Sequence, residues 1–128
     1  MVFSTLHTLG AANTVDRIVD VFPSNQQRQV RIQLSMVLQA VISQQLIPST
    51  KETLVPAFEV MICNNAIRTM IRESKAYQID STIYSSTDSG MVSMDTSLLN
   101  LYEEGLITAE NALTHSLNPD AMKKKLGL

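Results

Sequence analysis

The chain of 128 residues has one cysteine, Cys63, and no tryptophan. A single cysteine builds neither a disulfide framework nor a cysteine-rich zinc site, so the fold must hold by burial and hydrogen bonding. Cys63 lies in a strand-like run, where a small buried hydrophobe is the expected role. A catalytic thiolate there would need a base, and neither histidine is placed to serve as one. Those histidines, His7 and His115, lie far apart and form no His-x-x-x-His pair, so no metal site is expected. The four glycines, Gly10, Gly90, Gly105 and Gly127, are none of them followed by lysine. A phosphate-binding loop and a dinucleotide fingerprint are therefore both missing. No apolar stretch approaches the ~20 residues of a membrane span, and the N-terminus lacks a signal-peptide pattern. Charge of one sign is also scarce: the formal net charge is -2 and the pI about 5.6, which argues against binding by neutralisation of nucleic-acid phosphates. The only basic run, Lys123 to Lys125, reads as the solvated end of a helix, where lysines suit the negative pole of the dipole. A 45% hydrophobic fraction suffices for one domain with a real core, and a cytosolic soluble protein is expected.

The pattern that is present is mainly helical with a small β element. Val2-Phe3-Ser4-Thr5-Leu6 reads as a short strand. After Gly10, the residues Val15, Ile18, Val19 and Phe22 recur at helical spacing until Pro23. Ser24 is expected to cap a second helix, with Gln27 as its capping-box partner. Val30, Leu34, Val37, Leu38 and Val41 make that helix's apolar stripe, and Pro48 stops the tract. Residues 54–62 form a strand candidate in which Pro56 points to an edge or bulge, with 45–47 as a possible second arm of a hairpin. Beyond it, Asn64 or Asn65 caps a helix carrying Ile67, Met70 and Ile71, continued after a break by Ile79 and Ile83. Residues 85–90 read as a loop. Met94, Leu98 and Leu101 stripe the next helix, with Gly105 as its left-handed cap. Thr108 caps a short helix, and Asn118-Pro119 opens the last one.

The residue with the clearest chemical potential is His7. A histidine just past a strand end stands where open α/β sheets hold ligands, and its imidazole donates to phosphate oxygens or orients a carboxylate. Thr8 adds a hydroxyl. The same placement also suits a loop histidine with an ordinary hydrogen bond, and composition and periodicity do not separate the two readings.

Ser4-Thr5-Leu6-His7-Thr8, continuing through Asp16-Arg17-Ile18-Val19-Asp20-Val21-Phe22-Pro23, resembles the histidine-box region of the type II/IV secretion ATPases, in particular their pilus-retraction, twitching-motility branch. The resemblance runs along essentially the whole chain. It takes in Arg31-Ile32-Gln33-Leu34, Ala57-Phe58-Glu59, Gly90-Met91 and Met94-Asp95. Its most specific stretch is Ala66-Ile67-Arg68-Thr69-Met70-Ile71-Arg72-Glu73, similar to that branch's retraction motif AIRNLIRE with Thr69 and Met70 in place of Asn and Leu. Leu9 and Gly10 replace the Asn-Ser that more commonly follows the histidine box. By periodicity alone, Ile67, Met70 and Ile71 describe any packed helix, with Arg68 and Arg72 as an exposed row.

The resemblance implies the C-terminal part of a RecA-like P-loop ATPase domain and its helical bundle. Residues 1–63 would be the remnant of the ATPase core and 64–128 a helical subdomain with the retraction motif. It implies a C-terminal fragment of a hexameric motor that retracts type IV pili, using ATP and Mg in the full-length protein and binding neither in the fragment. The implied placement is cytoplasmic, at the inner face of the membrane against the pilus platform. His7 would sense the γ-phosphate and the catalytic glutamate, with Thr8 beside it at the nucleotide. Ala66, Ile67, Arg68, Ile71, Arg72 and Glu73 would serve motor output. Residues 2–6 would be a central strand whose neighbours are missing, and that open edge predicts self-association. Two alternatives remain: a helical adaptor binding a partner through Arg68 and Arg72, and the C-terminal part of a pilus-assembly or type II secretion ATPase. The latter commonly carry a four-cysteine zinc site, against which the lone Cys63 argues.

Overall fold

Four helices start where a side chain can accept an otherwise unpaired N–H of the first turn. Asn64 accepts from Ile67, Ser93 from Thr96, Thr108 from Asn111 and Asn118 from Ala121. The computed structural model describes residues 1–128. In chain order these are α1 (Ala11–Asp20), α2 (Ser24–Val37), β1 (Ala40–Pro48), β2 (Leu54–Ile62), α3 (Asn65–Arg72), α4 (Ile79–Ser85), α5 (Met94–Glu103), α6 (Ala109–His115) and α7 (Pro119–Leu126). Single 3-10 turns lie at Ala76–Gln78 and Thr87–Ser89. The chain is thus mainly α with one small β element.

That element is an antiparallel hairpin with Ala40 opposite Ile62 and Pro48 opposite Leu54. Its turn is held by Ser49, whose N–H donates to the Thr53 carbonyl at 2.8 Å. The hairpin tip docks on the α5–α6 connection, where the Thr50 N–H donates to the Leu106 carbonyl and the Thr50 hydroxyl to that of Gly105. The two-residue side-chain period puts Ser43, Ile47, Ala57, Glu59 and Met61 on the inner face, all buried. This face serves two apolar clusters. Met61 and Cys63 join Ala11, Val15, Ile67, Ile71, Ile79 and Ile83. Ile47 and Ala57 join Met94, Leu98, Ile107, Ala112 and Met122. Between the clusters, directly opposite each other in the register, lie the polar pair Ser43 and Glu59. At the far end Asp95 accepts the Leu117 and Asn118 N–H groups at 2.7 and 3.1 Å, fixing the start of α7 to α5.

Three expectations are corrected. Residues 2–6 form no strand; they are irregular and exposed, because no chain lies alongside to pair with them. The second helix stops at Val37, and Leu38 is already extended. Val41 and Ile42 belong to β1 instead, where pairing with β2 overrides the helical stripe. Ser24 is the first helical residue rather than the cap, and the Gln27 amide reaches back to the Phe22 carbonyl at 3.0 Å. Residues 2–6 thus offer no strand edge, although Val2, Phe3 and Leu6 are exposed, and further apolar surface lies on the hairpin's outer face, with Ile42, Leu46, Leu54 and Phe58.

Truncating Ile71 to alanine, fully buried in the first cluster, should cost roughly 2–5 kcal/mol in urea unfolding. Ile42→Ala, at a residue 68% exposed, should cost less than about 1 kcal/mol. Equal losses would mean that the outer face is covered in solution.

Candidate functional site

His7 does not follow a strand end; it lies in the irregular segment that feeds α1. It is exposed and shares an open groove of about 550 Å³ with Thr8, Asn13, Asp16, Arg17 and Asp20. The segment is nonetheless anchored. Thr8 Oγ1 lies 2.7 Å from Thr14 Oγ1, and the Asn13 amide donates to the Leu9 carbonyl at 2.9 Å. Gly10 has φ +84°, a left-handed conformation open to glycine and strained for other residues. Its N–H donates to Ser43 Oγ at 2.9 Å, and the next N–H, of Ala11, donates to Glu59 Oε1 at 2.8 Å.

Glu59 is the residue that sequence reasoning passed over. It is 1% exposed, and its second oxygen, Oε2, accepts the Met94 N–H at 3.3 Å. One carboxylate thus sits at the N-terminal ends of both α1 and α5, where the helix dipoles favour an anion. Burial nevertheless pushes its pKa up; the two N–H bonds pull it down, and the charges of Asp80 and Asp95 add to the rise. Desolvation wins over the donors. A signal was present in the sequence, since Glu59 shares strand parity with Ala57 and Met61, and a charge on an inward face is an anomaly.

Beyond Glu59 lies a cavity of about 400 Å³ where β2, α4, α5 and α7 meet, lined among others by Asp80, Asp95, Tyr84 and Lys125. Burial raises the Asp80 pKa, with the Asp95 charge assisting. Lys125 is not simply solvated: its ammonium stands 4.6 Å from the centre of the Tyr84 ring. No group of three or more His, Cys, Asp or Glu side chains is positioned to hold a metal. No helix is long and apolar enough to cross a membrane.

Residues 66–73 lie on α3 and its C-terminal end. Ile67 and Ile71 are fully buried in the cluster that also holds Ala11 and Val15 of α1. The helix after His7 and the motif helix thereby share a core, although the motif's charged groups do not join the His7 groove. Arg68 is not a free exposed charge. Its Nη1 donates to the Ser35 and Met36 carbonyls at 2.6 and 3.1 Å, closing the C-terminal end of α2. Arg72 is exposed and reaches only the Thr69 hydroxyl at 3.3 Å. Glu73 pairs with Lys75 at 2.8 Å, which lowers the glutamate pKa. Ala66 is exposed. Cys63 is buried, which raises its thiol pKa, so a thiolate nucleophile is not supported.

No protein-family model matches the chain. It is 47% identical over 123 residues to a twitching motility protein of Neisseria gonorrhoeae, covering 95% of this chain and 33% of that protein. It is 46% identical over 120 residues to the type IV pilus retraction ATPase PilT of Pseudomonas aeruginosa, covering 94% and 35%. Its backbone superposes on the crystal structure of the pilus retraction motor PilT with bound ADP at a TM-score of 0.80 and 44% identity, over 93% of this chain and 33% of that one. The chain spans about a third of the length of these relatives. The matches define a class first: the helices and hairpin are those of one portion of a RecA-like ATPase. Within that class the chain is similar to a twitching motility protein and to the pilus retraction ATPase PilT.

Because the folded-state pKa of Glu59 is raised, its contribution to stability is fully present below the ordinary value of 4.5 and is lost as pH rises through the raised value. Glu59→Gln should therefore be at its greatest disadvantage in acid, with the gap to the parent narrowing towards neutral pH in urea titrations. A gap that widened with pH would reverse the assigned sign. Arg68→Ala should cost roughly 1–3 kcal/mol by leaving carbonyls unpaired. Arg72→Ala should stay within about 0.5 kcal/mol.

Proposed function

We propose that this chain is the C-terminal portion of an ATP-driven motor that retracts type IV pili. The observation that carries the reading is the identity of 46–47% to a twitching motility protein and a pilus retraction ATPase along nearly the whole chain. In that motor His7 senses the γ-phosphate and the catalytic glutamate of the nucleotide site, and Thr8 supplies a hydroxyl beside it. The exposed position of His7 in an open groove suits a group that meets its partners from outside this chain. ATP with Mg is the cofactor of the whole motor, which would be a hexameric ring in the cytoplasm against the inner-membrane pilus platform. The bound ADP of the PilT structure supports a nucleotide there.

Residues 1–63 would belong to the ATPase core and 64–128 to a helical subdomain that delivers output through Ala66, Ile67, Arg68, Ile71, Arg72 and Glu73. Within this division Ile67 and Ile71 carry force through packing. Arg68 stiffens the α2–α3 junction, and Arg72 is the charge left to meet a neighbouring subunit or the platform. The exposed outer face of the hairpin favours self-association when this chain is isolated.

In the full-length motor His7→Ala should lower ATP turnover about a hundredfold, the scale of losing one preorganised donor, with nucleotide binding largely intact. Arg72→Ala should impair retraction more than turnover. Loss of ATP binding in the arginine variant would refute its role. Calorimetric titration of Mg-ATP into the 128-residue chain should give no detectable binding, and micromolar binding would overturn the reading.

A further inference from the structure

We propose that Glu59 is a positioning residue for the His7 loop, holding that loop in register with α5 by accepting the Ala11 and Met94 N–H groups on one carboxylate. The proposal rests on the reading of His7 as the sensing residue. Gly10 and Ala11, three and four positions after His7, are both held by side chains of the hairpin, through the register partners Ser43 and Glu59. A Cβ at position 10 would stand 3.7 Å from Glu59 Oε1, an ordinary contact, so the φ of +84° rather than the carboxylate is what calls for glycine there. On the other side the carboxylate holds the N–H of Met94, and the neighbouring Asp95 holds the start of α7. The His7 loop, α5 and α7 are thereby referenced to one buried group.

The geometry calls for two acceptor oxygens on one group. Two converging N–H donors need two acceptors, whereas an amide offers one and turns an NH₂ on the other donor. No cation bonds to Glu59. The charges that bear on it are Asp80 from α4 and Asp95 from α5, both of like sign, while Lys125 of α7 lines the same cavity against the Tyr84 ring. A buried charge without a counterion is a poor device for stability, and an apolar residue of similar size often serves as well or better. Its role is geometric: it fixes where the loop enters α1.

Two measurements test this. In the 128-residue chain, the Ala11 and Met94 amide resonances should titrate with one shared midpoint, and both transitions should vanish in Glu59→Gln. Separate midpoints, or transitions that persist in the variant, would overturn the shared clamp. In the full-length motor, Glu59→Gln should lower kcat for ATP about tenfold with KM changed less than about twofold. Ser43→Ala should act in the same direction more weakly. Ile107→Ala, in the second cluster, serves as a variant that loses stability without touching the loop, and its kcat should stay at the parental level. If kcat fell equally in the Ile107 variant, Glu59 would be merely structural and the proposal would fail. If Glu59→Gln kept its kcat while His7→Ala lost it, the proposal alone would fail. If neither changed turnover, the reading of His7 would fail and take the proposal with it.

Discussion

Moving a carboxylate out of water is costly unless its lone pairs meet donors, and Glu59 is out of water between two apolar clusters. The donors available to it are backbone N–H groups of Ala11 and Met94, which sit 48 and 35 residues away in sequence. Satisfying them forces the N-terminal ends of α1 and α5 onto the same face of the hairpin. Much of the remaining geometry follows from that constraint. The Ser43 hydroxyl, opposite Glu59, takes the adjacent Gly10 N–H, and the apolar residues on either side of this polar pair separate into the two clusters. The sheet is small, but its inner face is the surface on which both halves of the chain are organised.

The hairpin is secured at both ends by groups from elsewhere in the chain. Its tip bonds to the α5–α6 connection, and the Asn111 amide donates to the Pro48 carbonyl. Near the other end Val60 exchanges backbone hydrogen bonds with Val92. Arg68 performs a comparable service for α2, whose last carbonyls have no partner within the helix. The motif helix therefore has two engaged sides, one apolar and one cationic, and leaves Arg72 facing solvent. A residue pattern that resembles a pilus-retraction motif is here also a set of structural contacts, and the two descriptions are compatible.

Much of the fold was legible residue by residue. Asn64, Thr108 and Asn118 announced three helix starts, Gly105 a helix end, and residues 54–62 the second strand, because capping and strand alternation are local. The kinship with pilus-retraction ATPases was legible for a similar reason, since it rides on contiguous stretches such as residues 66–73. Local rules failed where the competing interaction was distant. Val41 continued a helical stripe, yet pairing with Met61 drew it into a strand. Residues 2–6 had strand composition, yet composition without a neighbouring strand leaves backbone groups to water.

What the sequence by itself determined is the class of chain and the residues that could carry chemistry, His7 among them, because both depend on residue type and short spacing. What only the tertiary structure decided is which groups restrain that histidine's loop and where the motif's charges go. Glu59 reads as an anomalous charge on an inward strand face, without a partner until the register sets it opposite Ser43 and the packing of α1 and α5 brings two N–H groups to it. Arg68 reads as a surface charge until the end of α2 arrives beneath its guanidinium. Both outcomes turn on backbone groups remote in sequence, and an unpaired backbone donor or acceptor acquires its partner only when the chain has folded.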